Sequence, residues 1–372
     1  MASESFSTKP HYLILDGLRG VAAVMVVAFH ILEAHSTSHA DQLINHGYLA
    51  VDFFFLLSGF VIGYAYDDRW KKMSMGEFFK RRLIRLQPMV IMGMIIGALM
   101  FYYQDSTVLW PGISEVPAWM VIVVMLIGFT VIPVPPSMDI RGWQEMHPLN
   151  GPAWSLFFEY IANILYAIGI RKLSNTMLGI LVVLFAAFLI HLGVTAPAGD
   201  IIGGWSIDPT QLHVGFARLL YPFFAGLLLS RIATLKYIKN AFAWCSLAVI
   251  VVLSFPRVGT EANLWVNGLF DALSVILIFP LIVYMGASGD VKGKYTSGLC
   301  KFLGDISYPI YITHYPIIYI YTAWVKDNNV QLKDAGMTAL YTFAACIFLA
   351  YASLKLYDEP IRKWLAQKLL AR

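Results

Sequence analysis

The chain has 372 residues, of which 58% are hydrophobic and only 13% are charged, and its formal net charge is +4. Soluble globular domains carry about 25% charged residues, so the composition excludes an ordinary soluble protein. The small net charge gives no reason to expect a nucleic-acid partner. The three cysteines, Cys245, Cys300 and Cys346, fit no disulfide framework, and we interpret them as buried apolar thiols.

The apolar residues occur in blocks of about 17–23 residues, which is the length of a transmembrane helix. Transmembrane β-barrels show alternating segments of about ten residues instead. The sequence therefore predicts an all-α, polytopic membrane helix bundle that forms a single domain, 1–372, with 1–12 as a polar cytoplasmic N-terminal tail. The eleven apolar blocks are 13–34, 47–66, 83–103, 117–134, 153–170, 177–193, 212–230, 240–255, 265–286, 303–325 and 335–356.

Positively charged residues predict the orientation of these helices. Most of the 27 Lys and Arg residues lie in the connections 69–85, 171–172, 231–239 and 292–301, or in the C-terminal tail from Lys355. Connections rich in Lys and Arg stay on the cytoplasmic side of a membrane. We therefore expect these connections and both termini to be cytoplasmic.

The block 117–134 does not fit as a full crossing. An even number of crossings must separate the cytoplasmic connections 69–85 and 171–172, but three blocks lie between them. The block 117–134 has 18 residues, as has 153–170, and it is the one that runs into the proline-rich sequence 133–136. Backbone of this kind is tolerated at membrane depth only where protein covers it. We expect about ten crossings and a partial or re-entrant element at 117–150.

Two ionisable residues of the first block lie on one face of a helix. Arg19 and His30 are 11 residues apart, which leaves them about 20° apart in direction and about 16 Å apart along the axis. Ionisable residues inside a membrane are costly and therefore mark candidate functional sites. The alternative is structural: Asp16 and Arg19 form an ion pair at the start of the helix, and His30 makes an interhelical hydrogen bond.

Other polar residues lie in or beside later blocks. Asp52 is near the start of an aromatic block, and Glu159 lies about two turns into the fifth block. Arg82 and Arg85 are neighbours on one helix face, and this arrangement is suited to binding a phosphate. The alternative is that they form a cationic cluster that contacts lipid headgroups. Three polar residues lie on one side of the tenth block: Ser307, Tyr311 and His314. The alternative to a functional role is that they make interhelical hydrogen bonds.

Five motifs of the chain, taken in order, resemble those of the acyltransferase-3 superfamily of membrane acyltransferases. The motifs are Leu15–Gly20 leading to Phe29 and His30, Asp52–Phe60, Arg82 with Arg85, Trp154–Glu159, and Ser307–His314. Together they cover roughly residues 12–320, and the set is more specific than any one of them. The chain departs from the common pattern after His30, where Glu33 is the next carboxylate, and after Glu159, where Tyr160 follows.

The resemblance implies an integral-membrane O-acyltransferase that moves an acyl group, expected to be acetyl, from cytoplasmic acetyl-CoA or another acyl-CoA to a hydroxyl of a sugar, polysaccharide or lipid-linked glycan. The implied partners are acyl-CoA, a carbohydrate acceptor and the lipid bilayer of a bacterial inner or plasma membrane, and no metal is expected. In this interpretation His30 is the general base or takes the acyl group for one step, and Glu159 or Asp52 orients it. The implied catalytic residues are His30, Glu159, Arg19 and Asp52, and the implied donor-binding residues are Arg82, Arg85, Arg19, Tyr311 and His314.

Two other classes of membrane protein stay open at this point. A transporter or flippase of lipid-linked sugars has a similar number of spans and buried charges, but it typically shows internal repeats and broken helices in matching halves. A polysaccharide polymerase or ligase favours large extracytoplasmic loops. Neither feature is evident in the sequence, so an acyltransferase is the preferred interpretation.

Overall fold

The computed structural model describes residue 9, residues 11–38 and residues 41–370. This part of the chain is built from α-helices with short 3-10 and π turns, and it contains no β-strand. The predicted polar tail at 1–12 lies largely outside the described residues. The helices are α1 Leu13–Glu33, α2 Ala50–Tyr66, α3 Met75–Met100, α4 Ala118–Gly128, α5 Ala153–Ile168, α6 Asn175–Thr195, α7 Pro209–Ile232, α8 Ala241–Leu253, α9 Trp265–Leu273, α10 Phe279–Ala287, α11 Lys294–Thr313, α12 Tyr315–Asp327, α13 Leu332–Ser353 and α14 Glu359–Leu370.

Seven helical stretches of the described residues are long and apolar enough to cross a membrane. They are Leu13–Glu33, Gly47–Tyr66, Met75–Gln104, Asn175–Thr195, Pro209–Ile232, Trp265–Ala287 and Leu332–Leu370. The chain is therefore a multi-pass membrane protein with an all-helical fold, as the sequence predicts.

The prediction of about ten crossings depends on the remaining helices. α5 and α8 are apolar but have only 16 and 13 residues, and α11 and α12 form one stretch that bends at His314. α4 has 11 residues, which gives about 16 Å and is too short for a hydrocarbon core of about 30 Å. The short α4 agrees with a partial element, while the full number of crossings stays a prediction.

The connections between helices meet at two ends of the bundle. The basic connections meet at one of them, which we call the basic end: Lys9 Nζ lies 2.8 Å from Asp68 Oδ1, and Ile238 N donates to Ser288 O at 3.1 Å. The contacts at the other end are His46 N to Leu253 O (3.0 Å), Met146 N to Trp205 O (2.7 Å) and Ser106 Oγ to Asp327 Oδ1 (2.7 Å). This division groups the same connections that the Lys and Arg pattern assigns to the cytoplasm, although the side of the membrane stays a prediction.

Glycines bring two pairs of helices into close contact. A Cβ on Gly59 of α2 would lie 2.1 Å from the backbone oxygen of Phe223, and one on Gly226 of α7 would lie 2.1 Å from that of Leu56. A Cβ on Gly20 of α1 would lie 2.3 Å from a backbone oxygen of α11. Small residues of this kind let helix backbones approach closely inside a membrane. The packing of α1 on α11 and of α2 on α7 positions the polar side chains described below.

The connection between α4 and α5 is irregular, and two of its polar side chains bond to backbone carbonyls. His147 Nε2 lies 3.1 Å from Val131 O, and Arg141 Nε donates to Pro148 O at 2.9 Å. Both Arg141 and His147 are buried, whereas Pro135 and Pro136 are exposed. Protein therefore covers only part of this connection.

Candidate active site

A cavity of about 790 Å³ extends into the bundle from the basic end. Side chains of α1, α2, α3, α5, α11 and α14 line it. Its lining reaches from Arg362 and Lys363 at the basic end to Val51 and Ser155, which lie in the first turns of α2 and α5 towards the other end. The volume falls within the roughly 300–1,000 Å³ of small-molecule sites. The cavity thus connects the basic end with the opposite half of the bundle.

Arg19 joins α1 to α11 on the cavity wall. Its Nε donates to Ser307 Oγ at 2.8 Å, and its Nη2 lies 3.1 Å from Asp16 Oδ1. The Ser307 hydroxyl in turn donates to Gly304 O at 2.8 Å. The ion pair with Asp16 that the structural alternative describes is present, and both residues also line the cavity.

His30 is fixed by a carboxylate of its own helix. Its Nδ1 lies 2.8 Å from Glu33 Oε2, and 16% of the His30 side chain is exposed. An ionised carboxylate only accepts hydrogen bonds, so this contact favours the tautomer with a proton on Nδ1 and a lone pair on Nε2. A histidine that acts as a base uses this arrangement.

His314 packs between His30 and Tyr311. Its ring stacks on the His30 ring with centroids 5.6 Å apart, and it lies 6.3 Å from the Tyr311 ring. Its Nδ1 contacts the carbonyl oxygens of Ile310 and Tyr311 at 2.9 and 3.0 Å, and its Nε2 has no hydrogen-bond partner among the described residues. His314 is fully buried and does not line the cavity. The contact that the structure shows for His314 is with His30, and its role in donor binding stays a prediction.

Tyr311 and Ser155 form a pair of hydroxyl groups towards the inner end of the cavity. Their oxygens are 2.7 Å apart, and Ser155 Oγ also lies 3.0 Å from Pro152 O. Both residues line the cavity, and Phe54 packs edge-on against the Tyr311 ring. The cavity therefore reaches two hydroxyls, and the His314 ring contacts both the Tyr311 ring and the His30 ring.

Glu159 pairs with Arg82 and not with His30. Arg82 Nη2 lies 2.7 Å from Glu159 Oε1, which also accepts from Ser58 Oγ at 3.1 Å. All three side chains line the cavity, and Arg82 is buried. The prediction that Glu159 orients His30 does not match this contact, because Glu33 occupies that position within α1.

Asp52 likewise belongs to a buried ion pair. Its carboxylate accepts from Arg218 Nη2 at 2.7 Å and from Arg218 Nε at 3.2 Å. Arg218 also donates to Tyr48 O and to Gly203 O, at 2.7 and 3.1 Å. Both charged residues are buried. The alternative expectation that Asp52 orients His30 therefore does not match the structure, in which Asp52 joins α2 to α7.

Arg85 differs from the other arginines of the cavity. Its side chain is accessible and lines the cavity, and no hydrogen bond or ion pair to it occurs among the described residues. The charges of Arg19, Arg82, Asp16 and Glu159 act on it from nearby. A guanidinium that lines the cavity and lacks a direct partner is suited to bind an anion that enters it.

The structure brings together most of the residues that the sequence singled out. Arg19, Arg82, Arg85, Glu159 and Tyr311 line one cavity. His30 and His314 lie beyond its inner end, and Asp52 lies in a separate ion pair. Sequence reasoning missed the pairing of His30 with Glu33, although the spacing of three residues on one helix indicates such a contact. It also missed the cavity-lining cations of the later helices: Lys301, Arg362 and Lys363.

No metal site is evident in the part of the chain that the structure describes. Among these residues, no group of three or more His, Cys, Asp or Glu side chains is arranged to hold an ion. The three cysteines are free and buried. The polar side chains at the cavity and beside it are arginine, lysine, histidine, carboxylate and hydroxyl groups.

Comparison with known families identifies the class of protein. Residues 12–357 match the acyltransferase-3 family, which is described as an acyltransferase domain. The chain belongs to this family. The match includes all five motifs on which the resemblance rests, and no solved structure matches the chain.

Two relatives show how far the similarity extends. The O-acetyltransferase OatA of Staphylococcus aureus (strain NCTC 8325 / PS 47) is 25% identical over 371 residues, which cover 95% of this chain and 58% of that protein. Protein 2 in the picA locus of Rhizobium radiobacter is 31% identical over 169 residues, which cover 44% of this chain and 84% of that protein. The chain thus spans little more than half the length of OatA. The family indicates an acyltransferase, and the relative is named an O-acetyltransferase.

Proposed function

We propose that the chain transfers an acetyl group from acetyl-CoA, which enters from the cytoplasm, to a hydroxyl group of a glycan at the opposite face of the membrane. The observation that carries the proposal is the single cavity that joins the basic end to the Ser155–Tyr311 pair, one ring away from His30. The name of the relative OatA supports acetyl as the group transferred. The bacterial inner or plasma membrane is the proposed location.

The donor fits the cavity by charge and by depth. Arg85 offers a guanidinium without a direct partner to a phosphate, and Arg82 is held beside it by Glu159. Arg19 and His30 are about 16 Å apart along α1, so an extended pantetheine arm that passes Arg19 is directed towards His30. The thioester would then lie near Ser155 and Tyr311.

The proposed reaction transfers the acyl group directly. The acceptor oxygen attacks the thioester carbonyl carbon while its proton passes to His30 Nε2. A C–O bond forms, the C–S bond breaks, and the imidazolium returns the proton to the sulfur of CoA. Glu33 keeps the proton on Nδ1 and stabilises the imidazolium. Tyr311 and Ser155 are the candidate donors to the oxyanion.

Binding and turnover of acetyl-CoA by the detergent-purified protein test this proposal. The change His30→Ala is expected to lower the release of free CoA by about 10²–10⁴-fold, the typical contribution of a general base, and to leave the dissociation constant of acetyl-CoA unchanged. The change Arg85→Ala is expected to weaken binding instead. Lys80→Ala is the matched control, since Lys80 is an exposed cation of α3 that does not line the cavity.

Two outcomes contradict the proposal. Full turnover by the His30→Ala protein removes His30 from the chemistry. Failure of the wild-type protein to bind any acyl-CoA removes the donor and favours a transporter of lipid-linked sugars.

A further inference from the structure

The last helix of the chain forms one wall of the cavity mouth. Glu359, Arg362, Lys363 and Ala366 of α14 line the cavity. Their spacing of three, four and seven residues from Glu359 places all of them on one face of the helix. α14 follows α13 through the π-helical turn Leu354–Asp358, and π turns inside helices often occur at functional sites.

α14 contacts α3 but extends beyond the span that precedes it. The continuous helical stretch Leu332–Leu370 has 39 residues and is therefore about 58 Å long, whereas the hydrocarbon core of a membrane is about 30 Å thick. α13 alone has 22 residues and is long enough to span it. α14 therefore extends beyond the membrane at the basic end, and none of its described residues is buried.

The mouth of the cavity presents cations without direct partners. Lys363 of α14 and Lys301 of α11 are exposed, and no hydrogen bond or ion pair to either occurs among the described residues. Arg362 is different, because its Nε lies 2.9 Å from Asp358 Oδ2. The acidic residue Asp305 also lines this region. Lys301 and Lys363 thus face the same opening from two helices and are available to an anion.

α14 also lies outside the residues that define the family. The family match ends at residue 357, two residues before α14 begins at Glu359. The four cavity-lining residues of α14 are therefore not assigned by membership of the family.

We propose that α14 is part of the donor site, and that Lys363 together with Lys301 binds the phosphates at the nucleotide end of the donor. This inference rests on the proposed function, in which the donor is acyl-CoA. The nucleotide end carries the phosphates and is the last part of the molecule to enter the cavity. Arg85 lies deeper than the two lysines and contacts the part of the donor that leads to the thioester arm. An exposed cationic mouth also increases the rate at which an anionic substrate is captured.

The test compares acetyl-CoA with S-acetyl-pantetheine, which carries the same thioester but no phosphate. We expect the double change Lys301→Ala and Lys363→Ala to raise the KM for acetyl-CoA roughly tenfold, because each exposed ion pair contributes a few-fold. The KM for S-acetyl-pantetheine and the kcat for both donors should stay unchanged. Deletion of residues 359–372 should have the same effect on KM as the double change or a larger one.

Lys368→Ala is the matched control. Lys368 lies roughly 170° around the helix from the centre of the cavity-lining face, and its Nζ lies over the Trp364 ring instead. The control should behave like the wild-type protein with both donors.

The outcomes separate this inference from the proposed function. A wild-type protein that binds acetyl-CoA, together with unchanged KM values in the double variant and the deletion, overturns the role of α14 alone. A wild-type protein that binds no acyl-CoA overturns the proposed function and this inference with it. The assays are made in detergent and in nanodiscs of neutral phosphatidylcholine or of anionic phosphatidylglycerol. An effect of the lysine changes only in the anionic nanodiscs assigns these cations to lipid headgroups and overturns the inference.

Discussion

The contact between His30 and Glu33 lies within a single helix turn and decides which nitrogen of the imidazole is basic. The change Glu33→Ala removes the acceptor from Nδ1, so the proton is free to occupy either nitrogen. We expect kcat to fall by about 10–100-fold while the dissociation constant of acetyl-CoA is retained. The change Glu33→Gln should cost less, because the amide oxygen still accepts from Nδ1.

Steady-state release of CoA and calorimetric binding on the same preparations check this prediction. Glu261→Ala is a suitable control, since Glu261 is an exposed carboxylate in the connection between α8 and α9. Equal activity of the Glu33→Ala protein and the control would remove Glu33 from the mechanism.

The buried pair Asp52–Arg218 makes a prediction about stability. The change Asp52→Asn leaves the Arg218 guanidinium buried without its counter-charge. Breaking a buried pair in this way costs about 3–5 kcal/mol, whereas replacing both partners costs much less. We expect the double change Asp52→Asn and Arg218→Met to be more stable than Asp52→Asn alone, as measured by thermal unfolding in detergent. If the single change has no effect on unfolding, the pair is not a structural contact.

The sequence predicted the residues of the site better than it predicted their partners. Burial of charge in a membrane is costly, and this cost identifies Arg19, His30, Asp52 and Glu159 one at a time. Which carboxylate meets which cation depends on helix packing, and no spacing in the sequence specifies it between α2 and α7. The contact of Glu33 with His30 is different, because it is local and the spacing of three residues permits it, although we did not predict it.

The packing of helices around the site depends on glycines, and a single substitution in α7 tests this dependence. The change Gly226→Ala places a Cβ 2.1 Å from the backbone oxygen of Leu56, so α2 and α7 must move apart. We expect a clear fall in the thermal unfolding temperature and in the amount of folded protein. Gly179→Ala in α6 is the control, because nothing lies within 4 Å of its Cβ and alanine favours a helix over glycine by about 1 kcal/mol. A smaller effect at Gly226 than at Gly179 would contradict close packing of α2 and α7.

The helices themselves could be predicted from apolar blocks, but their ends could not. The block 303–325 reads as one helix, whereas the chain bends at His314 between α11 and α12. The block 335–356 gives no sign that the helix continues through a π turn to Leu370, because α14 is too polar to register as a span. Hydropathy identifies segments that are apolar enough to lie in lipid. It does not identify polar helices such as α14, which lie outside the apolar blocks.

Charge orders the molecule as a whole into a basic end and an opposite end, and the cavity opens at the basic end. The placement of Lys and Arg predicts that this end is cytoplasmic, which is also the side from which the proposed CoA donor would arrive. The proposed direction of acyl transfer therefore depends on this orientation. In a reversed bundle the cavity would open to a compartment without acyl-CoA.

Single engineered cysteines test the orientation. The native cysteines are fully buried and should not react with a membrane-impermeant maleimide. Tyr103→Cys follows α3 at the end opposite the cavity mouth, and Tyr295→Cys lies at the start of α11 at the basic end; the native tyrosines are 77% and 93% exposed. We expect Tyr103→Cys to react in right-side-out spheroplasts and Tyr295→Cys to react only in inside-out vesicles. The reverse pattern would show that the bundle has the opposite orientation. Reaction of both cysteines from the same side would show that positions 103 and 295 face one compartment, so that the number of crossings between them is even.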